Sequence, residues 1–81
     1  MDSEMKEALN SLGTAFPRIR FHYHDVLDCI FADSPKGEIL VDRTQPMKWE
    51  AILDEESILA ETPVRAVRLL SQRTGLDLGG I

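Results

Sequence analysis

Two arginines and two histidines alternate with apolar residues in the segment PRIRFHYHD, residues 17–25. This period is typical of a half-buried β-strand, because successive side chains of a strand lie on opposite faces of the sheet. Guanidinium and imidazole groups in one column can bind a phosphate, a carboxylate or an acidic peptide. The side chains that are predicted to share the exposed face, here named the basic column, are Arg18, Arg20, His22 and His24.

The same segment raises the question of a metal site. His22 and His24 have a spacing that allows two imidazole ligands on one strand face, and Asp25 or Asp28 would have to supply a third ligand. Most exposed histidines of a strand are solvated, and the sequence shows no pattern of supporting groups around these two. We therefore predict no metal site and no cofactor.

A catalytic cysteine is a further possibility, since Cys29 is the single cysteine of the chain. It lies among Leu27, Ile30 and Phe31, which is typical of a small buried hydrophobic residue and not of an exposed thiolate. The adjacent glutamates at 55–56 would not face each other on a helix, so they do not converge as an acid–base pair. We therefore predict that the chain is not an enzyme.

The composition sets the size and the charge of the fold. The chain has 81 residues, 9 basic and 14 acidic, and a formal net charge of −5. We predict one small domain over residues 1–81, with residues 75–81 as a frayed or partner-ordered tail. The acidic balance disfavours binding to nucleic acid or to anionic lipid through overall charge. No window approaches the roughly 18 apolar residues of a membrane span, so the cytoplasm is the expected location.

The first half of the chain predicts a helix followed by three strands. Apolar side chains recur at helical spacing over residues 3–13, with Asp2 or Ser3 as the cap and Gly13 as the stop. The sequence SPKG at 34–37 is typical of a tight hairpin turn with proline at its second position. The predicted strands cover residues 18–24, 26–33 and 38–43.

The second half of the chain predicts two helices. Start signals at Thr44 and Pro46 and a stripe that includes Trp49 predict a helix that ends near the acidic residues 54–56. A capping threonine, a proline in the first turn and a terminal glycine predict another helix over residues 62–75. The predicted fold is a small α+β domain of order α-β-β-β-α-α, an antiparallel three-stranded meander with helices packed on one face.

Two features resemble known families. The segment AVRLLSQRTGLDL, residues 66–78, resembles the helix–turn signature of the C-terminal domain of the ribosomal stalk protein. A small acidic chain with a leading helix and a three-stranded meander looks like the first half of bacterial secretion chaperones. The first resemblance is limited to its segment and the second to architecture, so neither carries a function to this chain.

The sequence favours a small acidic protein–protein interaction module, such as an inhibitor, an adaptor or a chaperone-like protein. The limited core and unpaired sheet edges favour association, so we expect a homodimer or a complex with another protein. A two-fold dimer would allow the acidic segment 50–61 of one copy to face the other's basic column. The alternative is an anion or nucleic-acid binder that uses the basic column. Besides the basic column, the predicted partner contacts are Glu50, Asp54, Glu55, Glu56, Arg65 and Arg68.

Overall fold

The computed structural model describes residues 2–45 and 48–77 of the chain. Each strand pairs antiparallel with the next, so the sheet is a five-stranded meander in the order β1-β2-β3-β4-β5. The elements are helix α1 (Ser3–Ala15), strands β1 (Phe21–His24), β2 (Cys29–Ser34), β3 (Gly37–Gln45), β4 (Lys48–Leu53) and β5 (Glu56–Ala60), and helix α2 (Pro63–Thr74).

The α+β class is confirmed, whereas the three-stranded sheet and the order α-β-β-β-α-α are wrong. Strand β4 occupies most of the segment that predicts a helix, strand β5 begins where that predicted helix ends, and Pro46 lies outside the described residues. Trp49 is buried, but it shares one face of a strand with Ala51 and Leu53 and is not part of a helix. Strand β4 bonds to β3 on one side and to β5 on the other. This pairing outweighs the helix propensity of a segment rich in Glu, Ala and Leu.

The predicted hairpin turn between β2 and β3 is confirmed, since Ser34 pairs with Gly37. Gly37 has a backbone φ of 129°, which residues other than glycine rarely adopt. The Ser34 hydroxyl closes the turn by accepting the Lys36 N–H at 3.3 Å and donating to the Gly37 carbonyl at 2.6 Å. Strand β2 begins later than predicted, at Cys29, because residues 25–28 form the turn after β1.

The basic column is divided between β1 and the segment that leads into it. His22 and His24 lie on β1, while Arg18 and Arg20 lie in the connection from α1. The predicted alternation of burial continues through both parts, since Ile19 is buried and the four column residues are exposed. The strand itself is therefore shorter than the alternation suggests.

Helix α1 begins at the predicted cap. The Asp2 carboxylate accepts the Met5 N–H at 2.8 Å, which satisfies one of the free donors of the first turn. Gly13 does not end the helix, which continues to Ala15, and the Phe16 N–H donates to the Leu12 carbonyl. The buried residues of α1 are Met5, Ala8 and Leu12.

Helix α2 also has the predicted ends. Thr62 caps its start, and Gly75 ends it in the left-handed conformation with a φ of 75°. The Leu76 N–H donates to the Ser71 carbonyl at 3.1 Å, and the Leu76 side chain is buried. Of the predicted tail, residues 78–81 lie outside the described residues. Neither of the two helices described is long and apolar enough to cross a membrane.

Both helices pack against one face of the sheet, here named the covered face, and form a single core with it. In the described ranges no helix packs on the opposite face, here named the open face, where most side chains are half-buried or exposed. The largest fully buried side chains of the core are Phe16, Met5, Leu12, Ile30, Ile39, Leu70, Val41 and Val67.

Candidate protein-docking surface

Three half-buried apolar side chains form a row across the middle of the open face. Phe31 on β2 pairs with Leu40 on β3, and Leu40 pairs with Ile52 on β4. Directly opposed side chains of a sheet lie about 5 Å apart, so these three form one contiguous apolar stripe. His22 and Ser57 continue the row to the two edges of the sheet.

Carboxylates flank the apolar stripe on both sides. Asp33 pairs with Glu38 on one side, and Asp42 pairs with Glu50 on the other. Residues two positions apart on a strand share a face at a distance of about 7 Å, so each pair is the next neighbour of the stripe. None of these four residues, here named the acidic flanks, forms an ion pair with another described residue.

The two histidines of β1 lie against the aromatic end of the apolar stripe. The His22 and Phe31 rings stack with their centroids 6.0 Å apart, and the His24 ring meets Phe31 edge-on at 5.5 Å. His24 Nδ1 also accepts the Leu27 N–H at 3.3 Å. The histidines therefore extend the apolar stripe towards β1.

Arg43 forms ion pairs at the covered face, in contrast to the acidic flanks. Arg43 donates to Asp2 at 2.8 Å and to Glu4, which joins β3 to the start of α1. The hydrogen bond with Arg43 holds the pKa of Asp2 below its ordinary value, and the same pairing raises the pKa of Arg43. The Tyr23 hydroxyl donates to Asp28 at 2.6 Å, which raises the pKa of Tyr23 to about 12.

Cys29 does not have the surroundings of a nucleophile. The side chain is buried, and burial is the main cause that raises the pKa of its thiol, followed by the charges of Asp42, Asp28 and Glu38. A reactive cysteine needs the opposite shift, towards the thiolate. In the described part of the chain no hydrogen bond joins the thiol to either histidine of β1.

Among the described residues, no third metal ligand lies beside His22 and His24. Asp28 adopts a φ of 53° in the turn, and its carboxylate binds Tyr23 and lies 3.8 Å from Arg43. Asp25 is exposed in the same turn. Among the residues that the structure describes, no three His, Cys, Asp or Glu side chains come together as a metal ion requires.

A groove of about 410 Å³ lies between α1 and the start of α2. Its described lining holds the carboxylates of Glu4, Glu7 and Glu61 beside Trp49, and it holds no histidine, cysteine or lysine. Glu4 is already engaged by Arg43. The lining also contains the hydroxyls of Ser11 and Thr62, and the Thr62 hydroxyl accepts the Arg65 N–H at 3.1 Å. Among the described residues, neither hydroxyl is hydrogen-bonded to a carboxylate that could activate it as a nucleophile.

The structure distributes the predicted partner contacts over several places. His22, His24 and Glu50 lie on the open face, whereas Arg18 and Arg20 lie before β1. The remaining predicted contacts lie in the turn after β4 (Asp54 and Glu55), at the start of β5 (Glu56) and on α2 (Arg65 and Arg68).

Two of these residues have partners within the chain. Glu56 lies 3.7 Å from Arg73, and the Arg68 guanidinium lies 5.6 Å from the centre of the Phe16 ring. The basic column and the end of the acidic segment 50–61 belong to opposite edges of the sheet, because β1 and β5 are its outermost strands. An edge-to-edge contact between them would be heterologous and would not close into a dimer.

Sequence reasoning missed the apolar stripe and most of the acidic flanks. The signal was present in the strands EILV (38–41) and WEAIL (49–53), where neighbouring residues are both apolar. Adjacent apolar residues on a strand place one side chain on each face, which marks a strand with apolar surface on both sides. The missed residues are Phe31, Leu40, Ile52, Asp33, Glu38 and Asp42.

Comparisons with known proteins found no match for this chain among protein families, curated proteins or solved structures.

Proposed function

We propose that this chain is a small protein–protein interaction module without catalytic activity, and that its open face binds a basic amphipathic segment of another protein. The observation that carries the proposal is the apolar stripe between the two acidic flanks. Apolar surface at the centre of an interface supplies binding free energy, and charges around it select and orient the partner.

The pairing within the acidic flanks supports a cationic partner. Asp33 lies opposite Glu38, and Asp42 lies opposite Glu50. Like charges that are directly opposed in a sheet repel each other and destabilise it. A lysine or arginine of a partner, placed between two such carboxylates, would replace this repulsion with charge-assisted hydrogen bonds.

The dimensions of the open face fit a short amphipathic helix. The row from His22 to Ser57 crosses all five strands. Neighbouring strands lie about 4.8 Å apart, so the row is about 19 Å long. A helix of about 13 residues covers that length at about 1.5 Å per residue. Apolar side chains on one helix face would contact the stripe, and lysines or arginines on both sides would reach the acidic flanks.

A second copy of the chain does not fit the open face. Stacking two copies through it would place acidic flanks against acidic flanks, and the juxtaposition of like charges is unfavourable. A nucleic acid is disfavoured on the same surface, because its phosphates would meet the same carboxylates.

The proposal can be tested with two synthetic helical peptides that share one apolar pattern. One peptide carries lysines beside its apolar face, and the other carries glutamates at the same positions. We expect the lysine peptide to bind, with an affinity that falls as salt is added, and the glutamate peptide not to bind. Fluorescence anisotropy gives the affinities, and amide shifts in NMR spectra locate the contact. Equal binding of both peptides, or shifts that spare Phe31, Leu40 and Ile52, would contradict the proposal.

A leucine pair provides the control for the apolar stripe. Leu40→Ser should weaken binding of the lysine peptide by about tenfold, or about 1.4 kcal/mol. Leu27 lies in the turn after β1 and is 60% exposed. Leu27→Ser should therefore leave the affinity unchanged, and a similar loss in both variants would show that hydrophobicity in general drives binding.

A charge pair provides the control for the acidic flanks. Glu38→Lys with Glu50→Lys should weaken binding of the lysine peptide strongly, and the residual binding should depend less on salt. Glu7→Lys with Asp25→Lys makes the same change of net charge on α1 and in the turn after β1. We expect the second variant to bind nearly as well as the unaltered chain, and equal losses would mean that only net charge matters.

The alternative function is an anion or nucleic-acid binder that uses the basic column. It is favoured by the exposure of Arg18 and Arg20, neither of which forms an ion pair within the described ranges. A labelled single-stranded oligonucleotide is the probe, and Arg18→Glu with Arg20→Glu should abolish its binding. Binding of the oligonucleotide without binding of the lysine peptide would favour the alternative.

A further inference from the structure

In the described ranges strand β5 (Glu56–Ala60) pairs only with β4, so it forms an edge of the sheet, and it lacks two of the features that usually protect such an edge. Its sequence, ESILA, contains neither proline nor lysine, and Leu59 is 59% exposed. Natural sheets block their edges with prolines, lysines, bulges or very short strands, because an unprotected edge pairs with another chain. The edge at β5 is therefore open to strand pairing.

The opposite edge is protected. Strand β1 has only 4 residues, and Pro17, Arg18 and Arg20 precede it. Its histidines are exposed and lie against Phe31 of the neighbouring strand. A short strand that follows a proline and two arginines is a poor template for pairing. The contrast singles out β5 as the edge at which a strand can be added.

A groove follows the free edge of β5, between this strand and α2. Its volume is about 560 Å³. A strand added to β5 would lie in this groove, with its backbone bonded to β5 and its side chains against α2. The residues that line the groove are Ser57, Ile58, Leu59, Leu69, Gln72 and Arg73.

We propose that β5 pairs antiparallel with β5 of a second copy, so that the two five-stranded sheets join into one continuous sheet. The two-fold axis passes beside Ile58, which then lies opposite Ile58 of the second copy. In this register Ser57 lies opposite Leu59, and Glu56 lies opposite Ala60. The contact is isologous and closed, so it produces a dimer and not a filament.

Charges at the two ends of β5 favour a second copy as the occupant. Arg73 lies 3.7 Å from Glu56 at one end, and Lys48 lies beside Ala60 and Glu61 at the other. Antiparallel pairing brings the Ala60 end of one copy to the Glu56 end of the other. Lys48 then approaches Glu56 of the second copy, and Arg73 approaches its Glu61. Each end of the contact thus combines two cations, Lys48 of one copy and Arg73 of the other, with a carboxylate from each copy.

The dimer goes beyond the proposed function and does not depend on it. Pairing through β5 leaves the open face uncovered, because an added strand extends a sheet in its own plane. Two apolar stripes would then lie on one continuous surface. A partner with two basic amphipathic segments would gain affinity from binding both at once.

Sedimentation velocity over a wide concentration range tests the dimer. We expect the unaltered chain to be dimeric and Leu59→Lys to be monomeric at the same concentrations, since a lysine at this position blocks the edge. Leu27→Lys alters an equally exposed leucine in the turn after β1 and should remain dimeric. Melting curves verify that both variants are folded. A strictly monomeric unaltered chain would overturn the proposal, even if its edge captured an unrelated extended peptide.

Disulfide crosslinking tests the register. Ile58→Cys should form a covalent dimer on mild oxidation, because opposed residues of a sheet bring their Cβ atoms within reach of each other. Leu59→Cys should link poorly, since it lies opposite Ser57, and the unaltered chain should not link through its buried Cys29. A dimer that survives Leu59→Lys, or equal linking by both cysteine variants, would overturn the pairing through β5. Binding of the lysine peptide to monomeric Leu59→Lys tests the proposed function separately.

Discussion

The two faces of the sheet are built from alternate residues of the same strands, yet they differ in apolar burial and in charge. Ile39 is fully buried under the helices, whereas its neighbour Leu40 is half-buried on the open face. On the covered face Arg43 pairs with Asp2 and Glu4, while the acidic flanks of the open face have no cation among the described residues. The covered face therefore holds the fold together, and in the proposed function the open face is the surface that binds the partner.

Neighbouring substitutions on β3 give the largest expected difference between the faces. Ile39→Ala should lower the free energy of unfolding by about 2–5 kcal/mol, because it leaves a cavity in the core. Leu40→Ala should lower it by about 1 kcal/mol, because its side chain is only partly removed from water. Urea unfolding measures both. Equal losses would show that the open face is part of the core.

The turn between β2 and β3 decides which side chains reach each face, since a shift of one residue in register exchanges the faces. Gly37→Val should destabilise the fold by about 1–2 kcal/mol through strain at a positive φ. An added Cβ would meet Leu53 and Asp54 only at ordinary contact distances of 3.5 and 3.6 Å, so strain is the main cause. Gly13→Ala is the control, because α1 has open space there and no strain arises. A Gly37→Val variant that melts like the unaltered chain would contradict this account of the turn.

Stability in acid depends on the paired charges of the covered face. The pKa of Asp2 is lower in the folded chain than its ordinary value of 3.8, chiefly through its hydrogen bond with Arg43. The folded state therefore binds fewer protons than the unfolded state, and this stabilisation is lost as the pH falls through the folded pKa. Asp2→Asn should flatten the acid limb of a plot of unfolding free energy against pH, whereas Glu7→Gln should not. The same acid limb in Asp2→Asn and the unaltered chain would count against the pairing.

The last effect appears only at alkaline pH and concerns the hydrogen bond between Tyr23 and Asp28 at the β1 end of the covered face. Asp28 raises the pKa of Tyr23 from 10.0 to about 12, so the folded state retains a proton that the unfolded state loses. The stabilisation from this bond is complete below pH 10 and disappears as the pH rises towards 12. Tyr23 is the single tyrosine, so tyrosinate absorbance follows it directly. Asp28→Asn should move the midpoint towards 10.0, and an unchanged midpoint would exclude Asp28 as the cause.

Helices α1 and α2 and the hairpin turn between β2 and β3 could be predicted because their signals are local. Asp2, Thr62 and Gly75 act on backbone groups within a few residues, and Ser34 and Gly37 close a turn between them. Such caps and turns are recognisable from residue types alone.

Strands β4 and β5 could not be predicted in the same way, because pairing with neighbouring strands, and not local sequence, determines their conformation. Ala51 favours a helix by propensity, yet it is a strand residue that pairs with Val41 on one side and Ile58 on the other. The candidate site was hard to predict for the same reason. The charges of the basic column were visible in one segment, whereas the apolar stripe exists only once three strands are in register.

The order of the strands has a consequence for folding kinetics. Strands that pair with each other are separated by only two to four residues of the chain, so the sheet has low contact order and can grow one strand pair at a time. Helix α1 is different, because its link through Asp2 and Arg43 spans 41 positions of the chain. We expect α1 to dock after the transition state for folding. Met5→Ala should therefore accelerate unfolding and leave the refolding rate nearly unchanged in stopped-flow measurements, whereas Val41→Ala should slow refolding.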